Sequence, residues 1–255
     1  MKTLKYISLA LCLIALASCG KPNGEENDPS GNNPSQEPAY TDGSTVIDGR
    51  NAIDLGTDLL WAEVNIGAEN PQDYGSYFAW GEIATKDKYN WGGYKWGDGF
   101  EPETTQDYEM LKMSKYCMFK AYGTKDDKSV LDPEDDAATQ NWKNGWRMPT
   151  KEEIDALMKN CTWEWTRVEG LYGYEVSSKK TKKSIFLPAN GMIAKDGSHN
   201  MGFICNYWTA SLFKQNEQYN AYSYMYNEDG DPDKKYVSHT FRYLGMGIRP
   251  VHDKN

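Results

Sequence analysis

The stretch Gly145-Trp146-Arg147-Met148-Pro149-Thr150-Lys151-Glu152-Glu153 decides the fold of this chain, because it marks the beginning of a helix. Thr150 and Glu153 have the spacing of a capping box, in which the hydroxyl and the carboxylate each accept one N–H group that a helix start leaves unpaired. Pro149 disfavours helical structure on its N-terminal side. We therefore predict a short helix over residues 150–160.

The predicted helix carries one apolar stripe. Its apolar residues recur at i, i+3, i+4 and i+7, namely Ile154, Leu157, Met158 and Cys161. The opposite face is charged and consists of Lys151, Asp155 and Lys159. This pattern is typical of a helix that packs one side against a hydrophobic core and leaves the other side in water.

Short apolar runs that are typical of β-strands account for most of the remaining ordered sequence. They cover residues 52–55, 60–66, 77–81, 163–168, 172–176, 185–187, 206–211, 219–226, 236–243 and 247–251. The segment 82–124 has no clear period and is predicted to be a long loop with one short helix near Tyr108–Lys115. A second helix is predicted to begin with Asp132 as its N-cap and Pro133 at its first position. Together these elements predict an α+β fold of twisted antiparallel sheets, two short helices and long loops.

Three charged segments each have a functional and a structural interpretation. The triplet Glu134, Asp135 and Asp136 could bind a metal ion, but acidic residues are also favoured in the first turn of a helix, and we prefer that explanation. The lysines between residues 179 and 183 could bind a polyanion, but they are better explained as a solvated hairpin turn. Residues 227–233 resemble a calcium loop in composition and lack its spacing, which favours an acidic turn. We therefore predict neither a metal site nor a cofactor.

Gly145–Glu153 also resembles the helix start of the C-type-lectin-like fold used by formylglycine-generating sulfatase-modifying enzymes. It is more similar to the Fibrobacter succinogenes major paralogous domain, which occurs in lipoproteins of Bacteroidetes-type bacteria. The resemblance spans residues 46–252, and the other matching segments are Ile53–Gly56, Trp61–Ala68, Tyr74–Glu82, Pro133–Ala138, Ile185–Ala189, Tyr207–Ser211 and Ile248–Val251. It implies a C-type-lectin-like fold for residues 46–255, in a family whose biochemical role is largely undefined.

The N-terminal part of the sequence has the features of a lipoprotein leader. Lys2 and Lys5 precede an apolar run, as in a secretory signal peptide, which we place at residues 1–18. Leu16-Ala17-Ser18-Cys19 resembles a bacterial lipobox, which implies that Cys19 carries the lipid; ordinary secretory cleavage near Ser18 is the alternative. Residues 19–45 are rich in Asn, Pro, Gly, Ser and acidic residues and are predicted to form a disordered acidic tether. Glu25 and Glu26, which follow the proposed lipidated cysteine, resemble a surface-export signal, and solvation of a linker is the alternative explanation. We therefore predict a lipid-anchored outer-membrane protein, for which display at the cell surface is favoured over the periplasmic face.

Composition and motifs exclude several function classes. The formal net charge of −9 makes the chain a poor nucleic-acid binder. The closely spaced cysteine pair that holds copper in the sulfatase-modifying enzymes is missing, and the three histidines are far apart in sequence. G-x-S-x-G, P-loop and H-E-x-x-H motifs are also missing. We therefore predict that the protein is not an enzyme, while hydrolysis by a carboxylate pair stays open.

Three cysteines remain after the proposed lipid site. Cys117, Cys161 and Cys205 match no zinc-binding spacing, and an odd number allows at most one disulfide within the chain. We expect each to act as a small buried apolar residue. A bridge between Cys161 and Cys205 is the alternative.

Aromatic residues are the most unusual feature of the composition, with 9 Trp and 18 Tyr. Trp91, Tyr94 and Trp96 fall in the predicted long loop and Tyr226 in a late strand, so these four are our candidate ligand-binding residues. The alternative is that Trp91 and Trp96 fill the core beneath the loop. By the resemblance, a ligand would also meet three late connections, Gly191–Phe203, Phe213–Gln218 and Asn227–Lys235.

These observations favour a non-catalytic cell-envelope lipoprotein that binds a glycan or a protein. Two alternatives belong to other classes. One is a degenerate or unrecognised enzyme with the sulfatase-modifying fold, and the other is a structural or accessory subunit of a surface assembly.

Overall fold

The computed structural model describes residues 45–214, 219–227 and 236–254. The proposed signal peptide, Cys19 and almost all of the predicted tether lie outside these residues. Most of the two connections Phe213–Gln218 and Asn227–Lys235 lies outside them as well. Within the described part of the chain, no helix is long and apolar enough to cross a membrane.

The described residues form thirteen strands and two α-helices. In chain order these are β1 (Thr45–Ile47), β2 (Arg50–Asp54), β3 (Leu59–Ala62), α1 (Ala137–Trp142), β4 (Trp146–Arg147), α2 (Lys151–Asn160), β5 (Cys161–Val168), β6 (Leu171–Ser178), β7 (Ser184–Pro188), β8 (Met192–Ala194), β9 (Gly197–His199), β10 (Ile204–Leu212), β11 (Asn220–Asn227), β12 (Tyr236–Phe241) and β13 (Val251–Asp253). Short 3₁₀ helices cover Thr105–Glu109, Lys120–Tyr122 and Pro133–Asp135. This composition confirms the predicted α+β class.

The strands form four antiparallel sheets. One has the order β1-β2-β3-β13-β4, so the last strand of the chain lies between two early ones, and Val251 is paired with both Trp61 and Arg147. Two three-stranded sheets have the orders β5-β6-β7 and β10-β11-β12, and β8 and β9 form a small hairpin. The predicted strand at 77–81 is wrong, because Phe78 makes only an isolated bridge to Met246. The predicted loop 191–203 contains the β8–β9 hairpin.

Helix α2 forms as its sequence predicts. The Thr150 hydroxyl accepts the Glu153 N–H at 3.3 Å, and the Glu153 carboxylate accepts the Thr150 N–H at 2.8 Å. Ile154 and Leu157 are fully buried, which confirms that the apolar stripe faces the core. The helix ends at Asn160, and the next residue, Cys161, begins β5 directly.

The helix predicted to begin at Asp132 begins later, as α1. Asp132 precedes only a 3₁₀ turn and makes no capping hydrogen bond, whereas Asp136 caps α1 by accepting the Thr139 N–H at 2.9 Å. The second carboxylate oxygen of Asp136 accepts the Met148 N–H, also at 2.9 Å. Asp136 therefore joins α1 to the segment that leads into α2, an interaction that local sequence does not reveal. In place of the helix predicted near Tyr108–Lys115, the structure has a short 3₁₀ helix at Thr105–Glu109.

Two smaller predictions concern lysines and cysteines. The turn between β6 and β7 contains the lysines of residues 179–183, as the hairpin interpretation predicts. Cys117, Cys161 and Cys205 are free and buried, so the alternative Cys161–Cys205 bridge does not form.

Candidate functional site

Two of the four candidate aromatic residues belong to the core. Trp91 is 1% exposed and Tyr94 is 3% exposed. The Trp91 ring makes edge-to-face contacts with five neighbouring rings, those of Tyr94, Tyr108, Tyr219, Phe241 and Tyr243. The Tyr94 hydroxyl donates to the carbonyl oxygen of Trp80 at 2.8 Å. Neither ring therefore presents a face to solvent on which a ligand could stack.

Trp96 is half-buried, and its ring is covered by cations. Its indole N–H donates to the Gly81 carbonyl at 2.9 Å, while Lys95 and Lys115 place their ammonium groups 4.1 and 5.1 Å from the ring centroid. The backbone of Tyr226 lies in β11 opposite Cys205, and its side chain lies outside the described part of the structure.

The acidic residues predicted to start a helix form an ion-pair cluster instead. Carboxylate oxygens of Asp132, Glu134 and Asp135 lie within 4.8 Å of one another. Lys115 Nζ lies 2.7, 3.4 and 2.6 Å from these three groups and occupies the position between them. Burial alone would lower the pKa of Lys115, but hydrogen bonds to Asp132 and Asp135 raise it well above the ordinary value. Lys95 also pairs with Asp135, and Lys128 with Asp132, so three lysines of the chain balance the three carboxylates.

A different part of the surface forms an open cleft of about 490 Å³. Its walls are β2, the segment that follows β3, and the last residue of α1. The lining residues are Gly49, Arg50, Asn51, Glu63, Val64, Gly67, Ala68, Glu69 and Trp142. The volume lies in the range of small-molecule sites, roughly 300–1,000 Å³. We take this cleft as the candidate site.

The β1–β2 turn places the basic side chain of the cleft. Asp48 and Gly49 both have positive φ, 51° and 75°, and Asp-Gly is a favoured pair for a two-residue hairpin turn. Arg50 follows directly, and its guanidinium carbon lies 4.6 Å from the centroid of the Trp142 ring. Arg50 Nη1 also lies 3.1 Å from an Asp48 carboxylate oxygen. The ring and the carboxylate therefore hold the guanidinium from two sides.

A second polar pair lies beside Arg50. Asn51 and Glu63 occupy neighbouring positions because the Glu63 N–H donates to the Asn51 carbonyl at 3.1 Å. Their side chains meet as well, with Asn51 Nδ2 donating to Glu63 Oε2 at 2.7 Å. A carboxylate, an amide and a guanidinium thus line one cleft with an indole ring.

The charges of the cleft are predominantly negative. Arg50 is the basic lining residue, whereas Glu63 and Glu69 are both acidic, and Asp48 is paired with Arg50 at the rim. An anionic ligand would meet like charges in this site, whereas a neutral polar ligand would not. Among the described lining residues, the carboxylates of Glu63 and Glu69 are the groups that could act as bases or nucleophiles, and cysteine, histidine, serine and lysine do not occur.

Comparison of the chain with protein-family models, curated proteins and solved structures gives no match.

Sequence reasoning did not identify the cleft residues. Arg50 and Asn51 are far from Trp142 in the chain, and the sequence around each of them contains no motif that indicates binding. The Asp48-Gly49 pair was the available local signal, because it predicts a hairpin turn that exposes the residue after it. Nothing local indicates that Trp142 lies beneath Arg50.

Proposed function

We propose that this chain is a cell-envelope lipoprotein with a C-type-lectin-like domain that binds a neutral saccharide without catalysis. The observation that carries the proposal is the cleft in which Arg50 lies over Trp142 beside the Asn51–Glu63 pair. The sequence resemblance over residues 46–252 supports the fold. The lipobox-like sequence around Cys19 supports the attachment to a membrane.

The chemistry of a saccharide suits this cleft. Sugar hydroxyls both donate and accept hydrogen bonds, so they match a guanidinium donor, a carboxylate acceptor and an amide that does both. Arg50, Asn51 and Glu63 supply these groups. The Trp142 ring is 8% exposed and lies beneath Arg50, so it holds the guanidinium in place. A neutral sugar also avoids the repulsion that Glu63 and Glu69 would exert on an anionic one.

Replacing Arg50 tests the site directly. We expect Arg50→Ala to weaken saccharide binding at least about tenfold, because the loss of a central binding side chain costs ~2 kcal/mol or more and ~1.4 kcal/mol corresponds to tenfold. The full-length chain, purified in detergent, would be screened on an array of neutral and uronic-acid oligosaccharides. The tightest ligand would then be titrated calorimetrically against the wild-type chain and the variant.

Lys182→Ala, which removes an exposed cation outside the cleft, is the control and should bind like the wild type. Equal thermal melting of Arg50→Ala and the wild type would show that the fold is unchanged. Wild-type binding by Arg50→Ala would remove the cleft from consideration. Failure of the wild-type chain to bind any saccharide would refute the proposed function.

Glu63 and Glu69 provide the observation that favours the enzymatic alternative, since paired carboxylates hydrolyse glycosidic bonds. The same oligosaccharides, incubated with the chain and separated by chromatography, should stay intact if the protein only binds them. Cleavage that disappears in both Glu63→Gln and Glu69→Gln would establish a hydrolase instead.

The membrane anchor has its own test. We expect Cys19→Ala to lose all incorporation of a tagged fatty acid, because no other residue would receive the lipid, and to leave the outer-membrane fraction. Metabolic labelling of cells that express the wild type or the variant measures the first effect, and fractionation measures the second. Labelling of Cys19→Ala at the wild-type level would refute the anchor.

A further inference from the structure

The β5–β6 hairpin carries a row of rings on one of its faces. Trp163, Trp165 and Arg167 of β5 are paired across the strands with Val176, Tyr174 and Tyr172 of β6. Because side chains alternate between the two faces of a sheet, these residues share one face. The row runs from the core to the hairpin tip, with Tyr174 3% exposed and Tyr172 44% exposed.

The rings of this row are in mutual contact. Trp165 lies 5.0 Å from Tyr174 in an edge-to-face contact, and 6.0 Å from Tyr172 with only 5° between the two planes. Beyond Tyr172, the guanidinium carbon of Arg167 lies 5.3 Å from the ring centroid, and Arg167 Nε donates to the Gly170 carbonyl at 3.0 Å. The exposed Tyr172 ring thus contacts the half-buried Trp165 ring on the one hand and Arg167, which is bonded to the turn, on the other. A surface ordered in this way loses little conformational entropy when it binds a ligand.

The hairpin tip is connected to the rim of the cleft. Glu169, in the β5–β6 turn, accepts a hydrogen bond from Gln72 Nε2 at 2.7 Å. Gln72 follows the cleft residue Glu69 by three positions, a length of chain that spans at most ~10 Å. The intervening loop is closed on itself, because an Asp73 carboxylate oxygen accepts the Asn70 N–H at 2.8 Å. The cleft and the exposed rings therefore border the same short loop.

We propose that Trp165, Arg167 and Tyr172 form a second subsite, which binds further sugar units of an oligosaccharide whose one end occupies the cleft. This inference rests on the proposed function of the cleft. The apolar C–H faces of sugars pack on aromatic rings, and the Arg167 guanidinium can donate to their hydroxyl groups. The ligand class is a linear neutral oligosaccharide that is long enough to cross the loop between the two subsites.

Ligand length separates the two subsites experimentally. The full-length chain in detergent would be titrated with β-1,4-linked oligomers of glucose, mannose and xylose, each from the disaccharide to the hexasaccharide. We expect the wild-type chain to bind the longer oligomers of one series more tightly than its disaccharide. Tyr172→Ala should bind the hexasaccharide about tenfold more weakly than the wild type and the disaccharide equally well, because only the longer ligand reaches the rings.

Phe119→Ala is the matched control, since Phe119 is a single ring that is 44% exposed, like Tyr172, and lies outside the cleft and the hairpin. It should bind both ligands like the wild type. If Tyr172→Ala proves unstable, Arg167→Met provides a second test, because it changes no aromatic ring. We expect it to reduce the gain in affinity that the longer oligomers show over the disaccharide. Wild-type affinities for all lengths in both hairpin variants would refute the second subsite and leave the cleft intact. If the wild-type chain bound none of the oligomers, both the cleft and the second subsite would be refuted.

Discussion

Arg249→Met is expected to lower the free energy of unfolding by about 3–5 kcal/mol, since it would leave buried acceptors without a donor. Arg249 is fully buried. Its guanidinium donates to Asn65 Oδ1 at 2.8 Å and to the carbonyl oxygens of Glu63 and Phe186, both at 2.9 Å. Each buried acceptor left unpaired costs about 1–3 kcal/mol, which outweighs the relief of no longer burying a charge. This loss is a large fraction of the roughly 5–15 kcal/mol by which native proteins are stable.

Urea-induced unfolding of the full-length chain, followed by tryptophan fluorescence, measures this effect. Arg167→Met is the matched control, because Arg167 is exposed, and we expect it to change stability by no more than about 0.5 kcal/mol. If Arg249→Met unfolded at the same urea concentration as the control, the three acceptors would have other partners. Arg249 also donates to the Glu63 carbonyl at the cleft. If Arg249→Met remains folded, we therefore expect it to bind saccharide more weakly than the wild type.

Leu157→Ala should cost about 2–5 kcal/mol, which is the range for removing a fully buried leucine and leaving a cavity. Leu157 lies on the buried face of α2 and belongs to the same core cluster as Trp61 and Val176. Thr150→Ala removes the capping hydroxyl of the same helix and should cost only about 1 kcal/mol. The ratio of these two losses in unfolding free energy tests whether α2 is stabilised mainly by packing against the core or by its own capping interactions.

The same urea experiment ranks the two variants, with Lys159→Ala as a control on the exposed face of the helix. That control should unfold like the wild type to within about 0.5 kcal/mol. If Leu157→Ala were no less stable than Thr150→Ala, the apolar stripe would contribute little to the core.

The candidate aromatic residues illustrate how far sequence alone reaches. Trp91 and Trp96 have similar local sequences, and both could be either core or surface residues, because an indole ring is apolar with one polar atom. Trp91 packs among five rings, four of which come from other segments of the chain, whereas Trp96 stays half-buried beside Lys95 and Lys115. The partners that make this difference come from several separate parts of the chain. Local composition therefore could not distinguish the two.

The sequence by itself determined the features whose interacting groups lie within a few residues of one another. Helix α2 follows from Thr150, Glu153 and a periodic apolar stripe, and the β6–β7 turn follows from polar residues between two apolar runs. Such features form because the chain between the interacting groups is short, so closing it costs little entropy.

Only the tertiary structure decided the formation of the cleft, the burial of Arg249 and the position of β13 between β3 and β4. Arg50 and Trp142, like Gln72 and Glu169, meet across 92 and 97 positions of sequence, respectively. No local propensity favours contacts at such distances. They form because packing of the whole domain offsets the entropy of bringing the two segments together.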